Sequence, residues 1–115
     1  ATLPPVDTRV YRDAHGNTYR VSNSDYLRLQ SMKLSLSGKE LGLSSEKSRL
    51  NTLAIDVDLS RTRLDRTSQY EIDEFNQKVR DVNAMSRRVQ SLVNDYNRDV
   101  NSFNRELERV GTLIR

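Results

Sequence analysis

The residues that could do chemistry are few, and the first group surrounds the only histidine. His15 lies in DAHGNT, which has the spacing of the opening of a calcium loop, with His15 in place of the second acid. A calcium loop needs a bidentate Glu at its twelfth position, where this chain has Ser24. With no second imidazole and no cysteine, a zinc site would have to use carboxylates alone. We therefore expect His15 to be an exposed turn residue, and we predict no metal site and no cofactor.

Paired carboxylates are the second group. The pairs are Asp56 with Asp58, Asp73 with Glu74, and Glu106 with Glu108. Residues one or two apart on a helix do not face each other, so solvated charges on a helix surface explain these pairs. The sequence has no nucleophile beside a base and no Gly-rich phosphate loop. We predict no catalytic residues and a protein that is not an enzyme.

Four basic residues would approach one another if the chain folds back as a helical hairpin. They are Lys47 and Arg49 from the first arm and Arg87 and Arg88 from the second. This basic patch could contact the phosphates of nucleic acid or anionic lipid. No aromatic residues interleave it, and Asp56 and Asp81 lie a turn or two away. A solvated face is favoured, and a polyanion-binding module stays as the alternative function.

Composition decides what kind of scaffold could carry these residues. The chain has 115 residues, of which 35% are apolar and 30% are charged, so it is one domain or less and lacks material for a thick core. An elongated helical object that buries one stripe fits this balance better. The net charge of +3 arises from 19 basic and 16 acidic residues that are interleaved, which is a weak polyanion signal. No apolar run approaches the roughly 18 residues of a membrane span, so no transmembrane segment is predicted.

The second half of the chain has an uninterrupted heptad. Ser68 and Glu71 have the spacing of a capping box, and the heptad follows them directly. Its a positions are Ile72, Val79, Ser86, Val93, Val100, Leu107 and Ile114, and its d positions are Phe75, Val82, Val89, Tyr96, Phe103 and Val110. Twelve of these thirteen are apolar, which predicts a helix from about 69 to 115.

A second heptad upstream supplies a partner within the same chain. It consists of Leu29, Leu36, Leu43, Leu50, Val57 and Leu64, with Met32, Leu53 and four polar residues at d. Between Leu64 and Ile72 the interval is eight, and this slip beside a capping signal is what a reversal of direction produces. The prediction is a mainly α fold, an antiparallel helical hairpin over 23–115 with its turn near 66–70. A straight helix paired in parallel with a copy of itself is the structural alternative.

The first arm has local irregularities. Gly38 and Gly42 each cost about 1 kcal/mol against Ala in a helix, so we expect a kink or interruption near 37–45. Ser22 with Asp25, and Ser37 with Glu40, also have capping spacing. The stretch YLRLQSMKLSLS alternates with period two, so a strand competes with the helix there; the seven-residue series favours the helix.

Two further patterns suggest a partner. A leucine stripe, Leu27, Leu34, Leu41 and Ile55, lies about 200° around the helix from the first heptad, so one helix cannot cover both. We expect it to meet the N-terminal β-hairpin or another copy of the chain.

In the second arm, amides fill position e: Asn76, Asn83, Gln90, Asn97 and Asn104. They form either a salt-insensitive seam between copies or an exposed rim that tolerates amides, and both interpretations stay open.

The N-terminal region differs from the rest. Residues 1–8 contain Pro4 and Pro5 and are predicted to be an extended leader. The opening ATLPPVDTR has no charged region followed by an apolar one, so we expect any export signal to have been removed already; a trimmed chain would look the same. Residues 9–22 are predicted to form a short β-hairpin, with Gly16 and Asn17 able to supply positive φ in its turn.

These residues show a family resemblance. VYRDAHGNTYRV resembles the short Y-x-D-x-x-G-x-x-Y hairpin of bacterial envelope proteins, and IDEFNQKVRDVN with VNDYNRDVNSFN is similar to the Tyr-Asn and Phe-Asn heptads of bacterial coiled-coil proteins. The resemblance implies an exported protein, periplasmic or secreted, with a cytoplasmic location left open. We predict a structural coiled-coil protein that self-assembles or scaffolds another envelope protein, and we do not expect nucleic acid as its partner.

Overall fold

The protein consists of two long helices and three short strands. A computed structural model of the chain describes residues 8–114, so residues 1–7 of the predicted leader lie outside the described residues. The elements in chain order are β1 (Thr8–Arg12), β2 (Thr18–Ser22), α1 (Asn23–Arg63), α2 (Gln69–Val110) and β3 (Thr112–Ile114). The predicted fold class is confirmed: the chain is mainly α, with α1 and α2 forming a hairpin and a small antiparallel sheet beside it, and not a straight rod. Thr8, which we placed in the leader, belongs to β1.

The described residues divide into two compact units. Unit 1 contains residues 8–38 and 97–114, and unit 2 contains residues 39–96. Unit 1 therefore holds the sheet with the first part of α1 and the last part of α2, whereas unit 2 holds the remainder of both helices and the turn between them.

In unit 2, polar groups of the chain itself close the turn between the helices. The Oγ of Ser68 accepts a hydrogen bond from the Glu71 backbone N–H at 3.3 Å, which confirms Ser68 as the N-cap of α2. The Glu71 carboxylate accepts from the backbone N–H of Asp65 at 3.1 Å. Asp65 in turn accepts from the backbone N–H and the hydroxyl of Thr67. These bonds satisfy donors that the reversal of direction leaves unpaired.

The seam between the two arms of unit 2 is narrow. Its buried apolar side chains are Leu43 and Val57 from α1 and Val89 from α2, all of them heptad positions. Lys78 of α2 crosses to α1, where its Nζ lies 3.2 Å from Asp56 Oδ2 and donates to Ser60 Oγ at 3.0 Å. These pairings have the antiparallel register that the two heptads predict.

In unit 1, α1 starts where its capping signal lies. The Oγ of Ser22 accepts from the Asp25 backbone N–H at 3.2 Å and donates to the Asp25 carboxylate at 2.8 Å. The pair Ser37 and Glu40 has the same spacing but marks no helix start, because α1 continues through both residues. Of the predicted kink or interruption near 37–45, the interruption is wrong: α1 runs unbroken through these residues, because heptad packing on either side offsets the cost of two glycines. The alternative of a strand over YLRLQSMKLSLS, residues 26–37, is also wrong, because these residues belong to α1.

The sheet of unit 1 packs on the helices through one face. Its strand order is β1-β2-β3, antiparallel throughout, with Tyr11 opposite Tyr19 and Arg9 opposite Val21. Tyr11 and Val21 point inwards and are almost fully buried. They complete a core cluster, which consists of Tyr11, Val21, Leu29, Phe103 and Leu107. The rings of Tyr11 and Phe103 lie 6.0 Å apart, at an interplanar angle of 60°.

The predicted C-terminal boundary of the second helix is wrong. We expected helix to about 115, but α2 ends at Val110 and residues 112–114 form β3. Ile114, assigned to heptad position a, pairs instead with Thr18 of β2, and Leu113 pairs with Tyr19. The break occurs at Gly111, where a Cβ would lie 2.8 Å from the carbonyl oxygen of Leu107 and 3.1 Å from the Tyr19 side chain. Beyond this close approach, the sheet edge offers the backbone hydrogen bonds that a further helical turn would have supplied.

Replacing Gly111 by Ala tests this close approach. The added Cβ must displace the Leu107 backbone or the Tyr19 ring, so Gly111→Ala should lower the free energy of unfolding by about 1–3 kcal/mol. Gly38→Ala is the matched control, because a Cβ there meets nothing within 4 Å and alanine should stabilise the helix by about 1 kcal/mol. Urea unfolding followed by circular dichroism measures both, and equal effects of the two substitutions would contradict this account of the break.

Candidate interaction surfaces

The segment with calcium-loop spacing is a closed turn. Asp13 Oδ1 accepts hydrogen bonds from the backbone N–H groups of His15 and Asn17 at 2.9 and 2.8 Å, and Gly16 has a φ of 84°. The positive φ is the one predicted for this hairpin. His15 is exposed, and within residues 8–114 no three His, Cys, Asp or Glu side chains come together as a set of metal ligands. The Asp13 carboxylate therefore holds the turn of this chain.

Hydrogen bonds lower the pKa of three carboxylates, those of Asp13, Asp65 and Glu106. Desolvation alone would raise the pKa of Asp13, but the bonds from Asn17 and His15 outweigh it, so this pKa lies below its ordinary value. Hydrogen bonds from Thr67 lower the pKa of Asp65. The bond from Arg109, assisted by Arg28, lowers the pKa of Glu106. All three carboxylates serve turns or helix pairing.

The carboxylate pairs noted in the sequence are mostly parts of ion pairs. Asp56 contacts Lys78, and Asp58 Oδ1 lies 3.9 Å from Arg61 Nη1 on the same helix. Glu106 of α2 bridges to Arg28 of α1 and to Arg109. No pair forms a shared carboxylate site, so the arrangement is that of solvated surface charges.

The basic patch contains a carboxylate that sequence analysis missed. Glu46 Oε1 lies 3.7 Å from Arg49 Nη1, and Glu46 Oε2 lies 3.7 Å from Arg88 Nε. The Glu46 side chain is 82% buried, since its relative exposure is 18%. The structure thus brings Arg49 and Arg88 together around a negative charge, while Lys47 and Arg87 are exposed. A signal existed in the sequence, because Glu46 occupies a d position that faces the other helix.

Glu46 also lines a cleft in unit 2. The cleft has a volume of about 280 Å³, and its wall includes Leu43, Leu92 and Tyr96. Lys39, Arg88, Glu46 and Asp95 line it as well, so both signs of charge are present. Burial, followed by the nearby Glu40 carboxylate, raises the pKa of Tyr96. This balance of charges selects no chemical class of ligand.

The leucine stripe on α1 stays exposed. In unit 1, Leu27 and Leu34 are 59% and 73% exposed, and in unit 2, Leu41 and Ile55 are 74% and 51% exposed. The β-hairpin packs on Leu29 instead, so it is not the element that covers this stripe. Leu59, which the sequence analysis did not include, is 48% exposed on the same helix. With Leu53, a heptad d position that is 36% exposed, six large aliphatic side chains of α1 are exposed.

The amide positions of α2 are exposed too. Each of the five predicted e positions faces solvent in its own unit. Gln90 Nε2 donates to Asn94 Oδ1 at 3.1 Å, one turn along the helix. Within the single chain the amides form a rim, whereas the heptad a and d positions of α2 are buried or half-buried except for the serine.

Comparison with models of protein families, with curated proteins and with solved structures found no match for this chain. Neither α1 nor α2 combines the length and the apolar character that crossing a bilayer requires.

Acid should destabilise the fold through the three carboxylates with lowered pKa values. Their pKa is lower in the folded chain than in the unfolded chain, so the unfolded chain binds more protons as the pH falls. The stability contributed by Asp13, Asp65 and Glu106 should be present above about pH 4, the ordinary carboxyl range, and be lost below it. Carboxyl ¹³C titrations should give lower midpoints for these residues in the folded chain than in the urea-unfolded chain. Identical midpoints would contradict the assignment.

Proposed function

We propose that this protein is a structural coiled-coil protein that self-associates through the solvent face of α1. The observation that carries the proposal is the exposure of its aliphatic side chains, from 48% at Leu59 to 74% at Leu41. An exposed apolar patch is typical of a surface that binds a partner, and Ile55 and Leu59 lie one helical turn apart on α1.

The apolar side chains lie within a longer face of α1 that is free of charge. Following steps of four and three residues from Leu27, every position is exposed and none is charged. In unit 1 these positions are Leu27, Ser31, Leu34 and Gly38, and in unit 2 they are Leu41, Ser45, Ser48, Thr52, Ile55, Leu59 and Thr62. We call this set the uncharged face. Eleven uncharged positions in a chain that is 30% charged, with both large aliphatic and small side chains among them, suit packing against a second helix.

Hydrogen bonds within α1 make the uncharged face less polar than its threonine residues suggest. The hydroxyl of Thr52 donates to the backbone carbonyl of Ser48 at 3.1 Å, and that of Thr62 donates to the carbonyl of Leu59 at 2.8 Å. Both hydroxyls are therefore satisfied within the helix. Gly38 costs helix stability, yet a Cβ there would meet nothing in this chain. The close approach of another backbone would account for a glycine at this position.

Burial of the exposed aliphatic side chains can offset the cost of association between two copies. Full burial of a Leu or Ile side chain contributes about 1.5–3 kcal/mol, of which roughly half to three-quarters remains available here. Five such side chains from each copy give about 10–20 kcal/mol as an upper range. Association costs about 4–15 kcal/mol in lost freedom. A second copy can therefore offset the cost, whereas a small partner that covers one or two leucines cannot.

The cellular setting belongs to the same proposal. The hairpin VYRDAHGNTYRV and the Tyr-Asn and Phe-Asn heptads resemble those of bacterial envelope proteins, which supports a periplasmic or secreted scaffold. Its partner is then another copy of itself or a second envelope protein. Polyanion binding has less support, because Glu46 lies between Arg49 and Arg88 of the basic patch.

Two glutamates in the uncharged face should abolish self-association. Leu34→Glu with Leu41→Glu introduces charges that the interface would have to bury, so the double variant should sediment as a monomer at micromolar concentration where the parent chain is oligomeric. Ser44→Glu with Asn51→Glu is the matched control, since it adds the same charge at exposed positions of α1 outside the uncharged face. A monomeric parent chain, together with a stable and soluble double variant, would refute the proposal.

Gly38→Ala should separate folding from association. Alanine should stabilise the folded monomer by about 1 kcal/mol, because it lowers the entropy that the helix loses on folding. If another helix approaches Gly38, the same substitution should weaken self-association several-fold in sedimentation equilibrium. Gly42→Ala is the control, because Gly42 lies outside the uncharged face and a Cβ there also meets nothing within 4 Å. Equal association of the two variants would show that no backbone approaches Gly38.

A further inference from the structure

The sheet of unit 1 has an open edge at β1. In the order β1-β2-β3, β1 pairs with β2 alone among the described residues. Four of its five residues are exposed, the exception being Tyr11. An exposed edge strand presents a row of unpaired backbone donors and acceptors and is a template for another strand.

The ladder shows which backbone groups face this edge. The backbone N–H of Asp13 donates to the Asn17 carbonyl at 2.9 Å, so in the alternation of an antiparallel pair Tyr11 and Arg9 also point their N–H and C=O groups at β2. The N–H and C=O groups of Thr8, Val10 and Arg12 consequently point outwards. The same three side chains lie on the outer face of the sheet, where Val10 is 57% exposed.

The charged residues within the three strands have one sign, and Asp13 follows β1 in the turn. The three strands contain Arg9, Arg12 and Arg20 and no acidic residue. Arg12 and Arg20 share the outer face, because Arg12 pairs with Thr18 and Val10 pairs with Arg20. On the inner face, the Arg9 guanidinium lies 5.2 Å from the centre of the Tyr26 ring. Each arginine is exposed.

This charge argues against a second copy at the edge. Two β1 strands in parallel register would place each arginine beside its own copy, and an antiparallel pair would still bring six arginines into one sheet with no acid. Charged edge strands are a common protection against such pairing. A strand that carries carboxylates meets no such repulsion.

We propose that the open edge of β1 binds an extended acidic segment of a partner protein, which adds a fourth strand to the sheet. Arg9 and Arg12 are three residues apart, so the segment needs two carboxylates three residues apart. The residue opposite Val10 is apolar, and every second backbone group bonds to Thr8, Val10 or Arg12. This site lies in unit 1 and does not involve the uncharged face of α1.

The probe is an end-capped fluorescein peptide, TETVETG, whose antiparallel alignment places its two glutamates opposite Arg12 and Arg9. Fluorescence anisotropy with the full chain should show saturable binding that weakens with salt. The peptide TQTVQTG, without charge, should bind at least about fivefold more weakly, since two cross-strand charge pairs are lost. The peptide TEETVTG has the same composition and charge as TETVETG, but its glutamates are adjacent. The peptide TETPETG keeps the glutamates but lacks the backbone N–H opposite Val10. Both control peptides should bind as weakly as the uncharged peptide. The chain variant Arg9→Gln with Arg12→Gln should lose the preference for TETVETG.

The location is read from amide chemical shifts. With TETVETG, the N–H signals of Thr8, Val10 and Arg12 should shift more than those of Arg9 and Tyr11, whose N–H groups are already bonded to β2. Equal binding of TETVETG and TEETVTG would reduce the interaction to general attraction for polyanions and overturn the proposal. Absence of binding at millimolar peptide, or a dimer of the parent chain that Val10→Pro dissolves while its circular dichroism is unchanged, would overturn it as well.

Discussion

The burial of Tyr11 and Val21 against Leu29, Phe103 and Leu107 is the contact on which unit 1 depends. A sheet of three short strands has no core of its own, and two strands alone are marginal in water. The helix residues supply the missing apolar surface, and the sheet covers an end of the heptad seam that would otherwise be exposed. This exchange also explains the end of α2, because the close approach at Gly111 lets the chain leave the helix and join β2 as a third strand.

Unit 2 has a smaller apolar core than unit 1. Its seam buries few apolar side chains, and polar residues of α1 occupy positions between them. Of these, Ser60 accepts a hydrogen bond from Lys78 of α2, and Glu46 lies 3.7 Å from both Arg49 and Arg88, although its buried Oε2 accepts no hydrogen bond. Exposed ion pairs contribute at most about 1 kcal/mol each, so the apolar heptad positions carry most of the stability of this unit.

The two proposed surfaces differ in physical character. The uncharged face of α1 would associate through apolar burial, which salt does not screen, whereas the edge of β1 attracts carboxylates and is sensitive to salt. Both surfaces lie outside the seam that holds the hairpin together, so occupying either one does not compete with the fold.

Local signals predicted much of this structure. The heptads predicted two antiparallel helices, the pairs Ser22-Asp25 and Ser68-Glu71 predicted the helix starts, and Gly16 predicted the turn of the β-hairpin. Local signals failed where a contact between distant residues decided the structure: Ile114 continues the heptad, but the edge of β2 competes for the backbone groups of residues 112–114. They also failed at Ser37 and Glu40, since a capping pattern cannot start a helix where packing on both sides already continues one.

Functional residues divide in the same way. The exposed leucine stripe could be identified in the sequence because helical periodicity shows which residues one partner helix leaves uncovered. Glu46 left only a partial signal in the sequence, its d position and its spacing of three residues from Arg49, because its contact with Arg88 of the other arm depends on the register of the hairpin. The free edge of β1 was hidden, since a strand pattern does not show which side of the strand will pair. Periodicity thus determined which faces are apolar; only the tertiary structure decided which faces and edges stay open, because that depends on contacts between residues far apart in the chain.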